Sequence, residues 1–106
     1  MFHDDFVWGV ASSAYQVEGR DPGDGCGKNI WDTFAEEGRI LDGKDAYTAC
    51  DHMHRYKEDY KLMKLLGIKA YRFSMSWARI LPEGTGKVNE KAIAMYRDMI
   101  LSMKEN

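Results

Sequence analysis

The segment from residue 23 to residue 28, Gly-Asp-Gly-Cys-Gly-Lys, is the first stretch whose composition could bind phosphate. A P-loop, however, needs glycine where Pro22 stands and serine or threonine where Asn29 stands, directly after a strand. The segment also fails as a calcium loop, because Gly23 and Gly25 replace the oxygen ligands expected at its third and fifth positions. We therefore expect neither phosphate nor calcium to bind here.

Histidines and cysteines are the other groups that could bind a metal or act as a nucleophile. His52 and His54 are two residues apart on a predicted helix and face different directions. Metal-binding histidines on a helix are spaced four apart, so local hydrogen bonding or solvation is expected for both. Cys26 and Cys50 form no Cys-x-x-Cys pair and have no adjacent histidine, which predicts two free thiols in a reducing compartment. We predict no metal and no cofactor.

The second predicted strand carries the decisive local signal. In residues 68–76, alternation places Tyr71, Phe73 and Met75 on one face and Arg72, among alanine and serine, on the other. A charge that points into a confined interior is costly unless it meets an opposite charge. Arg72 is therefore a candidate for a site that contains a carboxylate. The alternative is a solvated arginine on a surface strand, which would fit better if that face carried further charges.

Two strands and a long loop would position these residues. Residues 6–11 are a short apolar run typical of a buried strand, and residues 68–76 form the second strand. Residues 12–48 contain six glycines and Pro22, which predicts a long loop with one helical turn over 29–36. Loops of this length inside a compact domain are usually functional.

Two helices are predicted from apolar stripes. The first covers residues 48–66, with a capping box at 48–51 and Gly67 as its stop. The second follows a turn at 82–84 and runs from its cap at Asn89 to about residue 104. The stripes are Met53, Tyr56, Tyr60 and Met63 on the first helix and Ile93, Tyr96, Ile100 and Met103 on the second.

Strands that alternate with helices predict an α/β fold with a parallel sheet. Parallel sheets are covered on both faces, and two strands alone leave open edges and an unfilled interior. The sequence therefore predicts the opening part of a larger domain.

Composition excludes several classes of protein. The chain has 106 residues, which is enough for one domain at most. It has 15 basic and 17 acidic side chains and a net charge of −2, which argues against nucleic-acid binding. A hydrophobic fraction of 44% argues against disorder. No apolar stretch is long enough to span a membrane. The acidic N-terminus lacks a signal-peptide h-region, so a cytoplasmic location is expected.

Several blocks of the sequence resemble family 1 glycoside hydrolases, in order and at the usual spacing. Residues 15–19 read Tyr-Gln-Val-Glu-Gly, residues 29–34 read Asn-Ile-Trp-Asp-Thr-Phe, and residues 70–74 read Ala-Tyr-Arg-Phe-Ser. The full blocks cover residues 6–19, 29–34, 49–59, 62–77 and 79–84. Because these blocks occur in register along the whole chain, the resemblance is specific from end to end.

The resemblance implies a (β/α)8 TIM barrel, of which residues 1–106 would supply the first two βα units as an incomplete part of one catalytic domain. It also implies a retaining β-glycosidase that hydrolyses terminal β-D-glucosides. Its acid/base and nucleophile, two glutamates about 5–5.5 Å apart, would lie outside this sequence, so the chain alone would be inactive. The implied partners are a β-glucoside or related oligosaccharide and the remainder of the barrel. We expect the chain alone to self-associate or to be only partly ordered.

Two site residues transfer from the family motif. Gln16 matches a glutamine that binds sugar hydroxyls, a task suited to an amide because it offers both donors and an acceptor. Its alternative role is a turn residue that bonds to backbone. Arg72 matches an arginine beside the nucleophile, where a cation keeps a carboxylate ionised and oriented.

The remaining candidate residues fall outside the family's catalytic contexts. Glu18, Asp32 and Asp51 are therefore interpreted as structural. Trp8 is expected to pack in the core, whereas Trp31 and Trp77 are open between core packing and a sugar platform.

One alternative function, from another class, is also open. The chain could be a non-catalytic truncated paralogue that binds a sugar or a partner chain. The end of the sequence at a helix terminus favours truncation of a longer chain. The motifs at Gln16 and Arg72 look more like those of β-glucosidases than of 6-phospho-β-glycosidases, although galactoside and 6-phospho-glycoside preference stay open.

Overall fold

The computed structural model describes all of residues 1–106 and contains two strands and five helices. The elements in chain order are β1 (Gly9–Ala11), α1 (Ala14–Val17), α2 (Ile30–Glu36), α3 (His52–Leu65), β2 (Ala70–Arg72), α4 (Trp77–Ile80) and α5 (Glu90–Glu105). β1 and β2 pair in parallel, with Gly9 opposite Ala70 and Ala11 opposite Arg72. The parallel pairing predicted from the alternation of strands and helices is confirmed.

Both strands are shorter than predicted. Residues 6–8, 68–69 and 73–76 lie outside the two strands. The later part of the second run has no strand partner, because the chain turns into α1 soon after Ala11. The predicted faces hold within β2, where Tyr71 is half-buried while Ala70 and Arg72 are exposed. They do not hold to the end of the run, since Met75 is exposed.

The long first connection is only partly a loop. The predicted turn at 29–36 is the helix α2, whose first turn is held by a capping box between Asn29 and Asp32. α1 and α4 are helices of four residues that the sequence analysis did not predict. One turn is too short to show the apolar period from which a helix is recognised.

α3 begins later than predicted, and the predicted capping box at residues 48–51 is wrong. Ala49 and Asp51 have left-handed backbones with φ of 48° and 56°, so these residues form a turn rather than the first helical turn. The predicted stop is confirmed. Gly67 has a φ of 74°, and the N–H groups of Gly67 and Ile68 donate to the Lys64 and Met63 carbonyls, which closes a Schellman motif.

A small core lies where α3 crosses α5 beside β2. Tyr60, Tyr96 and Met99 are its buried centre, and the half-buried apolar side chains around it are Met53, Tyr56, Met63, Tyr71, Ile80, Met95 and Met103. The stripe predicted for α3 is therefore confirmed. The stripe predicted for α5 is wrong at Ile100, which is exposed, because the helix presents Met99 to α3 instead.

Much apolar surface remains outside this core. Trp8, expected in the core, is 53% exposed and contacts only the neighbouring rings of Phe2 and Phe6 among the aromatic residues. The core expectation for Trp8 is wrong for this chain, because a sheet of two strands has too few neighbours to cover it. None of the helices is long and apolar enough to cross a membrane.

Candidate functional site

The carboxyl ends of β1 and β2 meet at one edge of the sheet. The Ser12 N–H donates to the Arg72 carbonyl at 2.9 Å, and the Ser12 hydroxyl hydrogen-bonds the Tyr71 hydroxyl. Beyond the strands, the Ala14 N–H donates to Ser74 Oγ at 2.8 Å. These contacts tie the start of α1 to the segment that follows β2.

The two predicted site residues lie at this edge. Arg72 is the last residue of β2, and Gln16 lies on α1, five residues beyond the Ala11 that pairs with Arg72. Both side chains are exposed, and neither makes a hydrogen bond or ion pair within the chain. The Gln16 amide and the Arg72 guanidinium therefore keep their full hydrogen-bonding capacity for groups outside residues 1–106.

A buried charge cluster that was not predicted from the sequence begins at Glu18, two residues after Gln16. Arg79 of α4 donates from Nε to Glu18 Oε2 at 3.0 Å and from Nη1 to Asp24 Oδ2 at 2.8 Å. Arg79 Nη2 donates to the Gly19 carbonyl. The sequence did hold a signal, since a charged residue between the apolar pairs 77–78 and 80–81 needs a buried partner.

Tyr96 of α5 completes the cluster. Its hydroxyl donates to Glu18 Oε1 at 2.6 Å and accepts from the Ser76 N–H at 2.7 Å. Burial, together with the nearby Glu18 carboxylate, raises the pKa of Tyr96, so the phenol stays protonated and donates. Burial acts to raise the pKa of Asp24, but hydrogen bonds from the Cys26 and Asp21 N–H groups and from Arg79 outweigh it and lower that pKa.

Asp32 and Asp51, the other two acidic residues interpreted as structural, also have partners within the chain. Asp32 is buried, accepts from the Asn29 N–H at 2.9 Å and lies 3.8 Å from Arg20 Nη1. Asp51 contacts His54 Nδ1 at 2.6 Å. Both carboxylates therefore form contacts within the chain, in keeping with their structural interpretation.

The histidines are engaged locally as well. His52 is buried and its Nδ1 lies 2.6 Å from Asp59 Oδ2, while His54 Nε2 lies 2.7 Å from Asp21 Oδ2. His, Cys, Asp and Glu side chains form no group of three that could hold a metal ion. Cys26 and Cys50 are both free thiols, as predicted.

The glycine-rich segment at 23–28 packs against the chain that follows α4. The Gly27 N–H donates to the Ala78 carbonyl at 2.8 Å, and a Cβ on Gly27 would lie 2.1 Å from the Pro82 carbonyl oxygen. The side chain of Asn89, predicted to cap α5, donates to the Asp24 carbonyl at 2.9 Å instead. Gly27 therefore permits close approach between two parts of the backbone.

Two exposed tryptophans lie on short helices outside the sheet, Trp31 on α2 and Trp77 at the start of α4. Trp31 of α2 is half-exposed, with its ring 6.3 Å from that of Tyr15 and 6.0 Å from that of Phe34. Trp77 is 67% exposed and donates from Nε1 to the Gly84 carbonyl at 2.9 Å. Neither belongs to the core of this chain, so a sugar platform stays open for both.

A groove of about 450 Å³ lies at the opposite edge of the sheet. It is lined at the amino end of β2 by Lys69 and Ala70 and by Tyr60 and Asn106. Because Gln16 and Arg72 lie at the other edge, this groove is not part of the candidate site.

Comparison with known proteins gives one consistent result. A family model described as Glycosyl hydrolase family 1 matches residues 1–106. The chain is 53% identical over 106 residues to Beta-glucosidase A of Acetivibrio thermocellus, covering 99% of this chain and 24% of that protein. It is 58% identical over 106 residues to Beta-glucosidase 4 of Oryza sativa subsp. japonica, covering 98% of this chain and 22% of that protein.

A solved structure agrees with this result. The beta-glucosidase from Thermotoga maritima in complex with methoxycarbonyl-substituted glucoimidazole is 48% identical to this chain and superposes with a TM-score of 0.90. The match covers 98% of this chain and 24% of that one. The chain therefore spans about a quarter of the length of the relatives that it matches.

Proposed function

Because the chain belongs to glycosyl hydrolase family 1, we propose that residues 1–106 form the first two βα units of a (β/α)8 barrel that hydrolyses terminal β-D-glucosides. The observation that carries the proposal is the edge where Ala11 pairs with Arg72, because it brings Gln16 and Arg72 to the carboxyl ends of adjacent parallel strands. Barrel enzymes of this kind hold their active sites at the carboxyl ends of the strands.

The proposed reaction is retaining hydrolysis of the glycosidic bond. One glutamate attacks the anomeric carbon while a second protonates the leaving oxygen, and water then hydrolyses the glycosyl-enzyme with that second residue acting as base. Both glutamates belong to the part of the barrel that follows residue 106. Residues 1–106 contribute binding and electrostatic groups to this step.

Gln16 and Arg72 have distinct roles in the proposed site. The Gln16 amide donates to and accepts from paired sugar hydroxyls, which suits its exposure and its lack of an internal partner. The Arg72 guanidinium lies beside the nucleophile, where its charge favours the carboxylate over the acid and its fixed fork orients the oxygens. An exposed arginine without an internal ion pair, on the face of β2 turned away from the core, supports this role.

Activity of the complete glycosidase tests the proposal. We use this term for a protein in which residues 1–106 are followed by the remaining barrel. That remainder comes either from the chain's own reading frame or from Beta-glucosidase A of Acetivibrio thermocellus, of which it is the part outside the match. We expect hydrolysis of an aryl β-D-glucoside, faster than that of the matching β-galactoside and 6-phospho-β-glucoside. A cooperatively folded protein that hydrolyses none of the three would contradict the proposed function.

A further inference from the structure

Gln16 lies on a helix that is too short to hold its own shape. α1 has four residues, and its N-cap residue Ser13 makes no side-chain capping hydrogen bond. Isolated helices shorter than about 12–15 residues are only marginally stable in water. The orientation of the Gln16 side chain must therefore be set by contacts on either side of α1.

Tertiary contacts fix α1 at both ends. Before Gln16, the Ala14 N–H donates to Ser74 Oγ at 2.8 Å. After it, the Glu18 carboxylate accepts from Arg79 at 3.0 Å, and the Glu18 carbonyl accepts from the Met53 N–H at 3.1 Å. The Glu18 anchor is two residues from Gln16, so it holds the backbone from which the Gln16 side chain extends.

The anchor at Glu18 is built from a guanidinium with fixed donor directions. Arg79 and Glu18 are each only 4% exposed, and Arg79 also donates to the Gly19 carbonyl and to Asp24. A planar fork holds several acceptors in one arrangement, whereas a lysine ammonium has no such preferred directions. Movement of Glu18 would leave a buried charge without its partner, which is strongly unfavourable.

The same carboxylate is also fixed from α5. Tyr96 donates to the second oxygen of Glu18 at 2.6 Å and accepts from the Ser76 N–H at 2.7 Å. Ser76 is the N-cap of α4, and its hydroxyl accepts from the Arg79 N–H at 3.3 Å. Both oxygens of Glu18 are thus bound by elements that follow β2, the strand that carries Arg72.

We propose that the buried Arg79–Glu18 pair is a positioning device for Gln16, which fixes the direction in which the Gln16 amide meets the sugar. Neither residue of the pair touches substrate, and both act through Gln16. The inference rests on the proposed function, because it takes Gln16 as a sugar-binding residue. It goes beyond that function by assigning a role to an acid and an arginine that lie outside the site.

A double-mutant cycle in the complete glycosidase tests this inference. Arg79→Lys is made with and without Gln16→Ala, and kcat/KM is measured for an aryl β-D-glucoside well below the unfolding temperature of every variant. If Arg79 acts through Gln16, we expect Arg79→Lys to lower kcat/KM about 10-fold when Gln16 is present and less than about 2-fold when it is absent. Arg39→Lys is the control, since Arg39 is exposed and pairs only with the nearby Glu37.

Glu18→Gln is a second variant that tests the inference if Arg79→Lys does not fold. Glu18→Gln removes the charge but keeps the side-chain shape and an acceptor for Tyr96, and it should show the same dependence on Gln16. Equal losses of kcat/KM in both backgrounds would overturn the positioning role and leave the proposed function intact. An unmodified complete glycosidase that folds but hydrolyses no glucoside would overturn both proposals.

Discussion

Ser12 donates its backbone N–H to the carbonyl oxygen of Arg72 at 2.9 Å, so the pairing of the two strands continues to the residue where the first connection begins. This contact places α1, with Gln16, at the same sheet edge as the Arg72 side chain. An edge that carries two unpaired polar side chains is suited to bind a ligand or another part of a larger domain.

Replacement of Gln16 by alanine tests the sugar-binding role. In the complete glycosidase we expect Gln16→Ala to remove about 2–4 kcal/mol of transition-state stabilisation, because hydrogen bonds to sugar hydroxyls strengthen as the ring distorts. The unfolding temperature should not change, since the Gln16 amide has no partner within residues 1–106. The measurement is kcat/KM for an aryl β-D-glucoside.

The control for this variant is Lys61→Ala on the exposed face of α3, which should leave kcat/KM unchanged. A kcat/KM of Gln16→Ala equal to that of the unmodified enzyme would remove Gln16 from the site.

The isolated chain is expected to hydrolyse no aryl β-D-glucoside above background. The reaction needs two carboxyl groups across the glycosidic bond, and Glu18 and Asp32 are both buried with internal partners. Turnover is measured on purified 106-residue protein by release of the aryl group. Hydrolysis that disappears in Glu18→Gln or Asp32→Asn would place the catalytic acid within this chain.

Long elements of this fold could be predicted from sequence, and short ones could not. α3 and α5 extend over enough turns for an apolar stripe to emerge, although the stripe of α5 missed Met99, whose burial depends on how the helices cross. α1 and α4 have one turn each. Strand lengths were overestimated because an extended, apolar run does not reveal how many of its residues have a partner.

The site was predictable to a different extent. The family motif predicts Gln16 and Arg72 as site residues, and parallel pairing explains why they lie at one edge. The contact between Arg79 and Glu18 joins residues that are 61 apart in sequence, and only the packing of α4 against the first connection determines it. A buried charge in an apolar run signals that a partner exists without identifying it.

His54 should make stability depend on pH. Hydrogen bonds to Asp51 and to Asp21 raise the pKa of His54, and Arg55 lies 3.5 Å from the second oxygen of Asp51. A raised folded-state pKa means that the stabilisation is fully present below about 6.5, the pKa of an unfolded histidine, and is lost as pH rises through the folded-state value. We therefore expect this part of the stability of the complete glycosidase to decrease across that pH window.

The unfolding temperature is measured against pH for the unmodified protein and for His54→Gln. The variant should lack the decrease that depends on His54, whereas His3→Gln, at an exposed position near the N-terminus, should keep it. Identical pH profiles for His54→Gln and the unmodified protein would show that the two carboxylates do not bind His54 in solution.

The isolated chain should self-associate or be only partly ordered. Its sheet has two strands, so each strand has one long side whose backbone groups lack a strand partner. The apolar side chains in and before β1, those of Phe6, Val7, Trp8 and Val10, are also exposed. Size-exclusion chromatography with light scattering at micromolar concentration measures the mass. A monomer that unfolds cooperatively would contradict this expectation and would favour an independent function for the chain.

A crystal structure of the complete glycosidase with a bound glucoimidazole would show directly whether Gln16 and Arg72 lie in the sugar-binding site. We expect the Gln16 amide within about 2.7–3.2 Å of sugar hydroxyls. We also expect the Arg72 guanidinium beside the carboxylate that faces the anomeric carbon. A ligand bound in the barrel without contact to Gln16, or with Arg72 turned away from that carboxylate, would contradict the site assigned to residues 1–106.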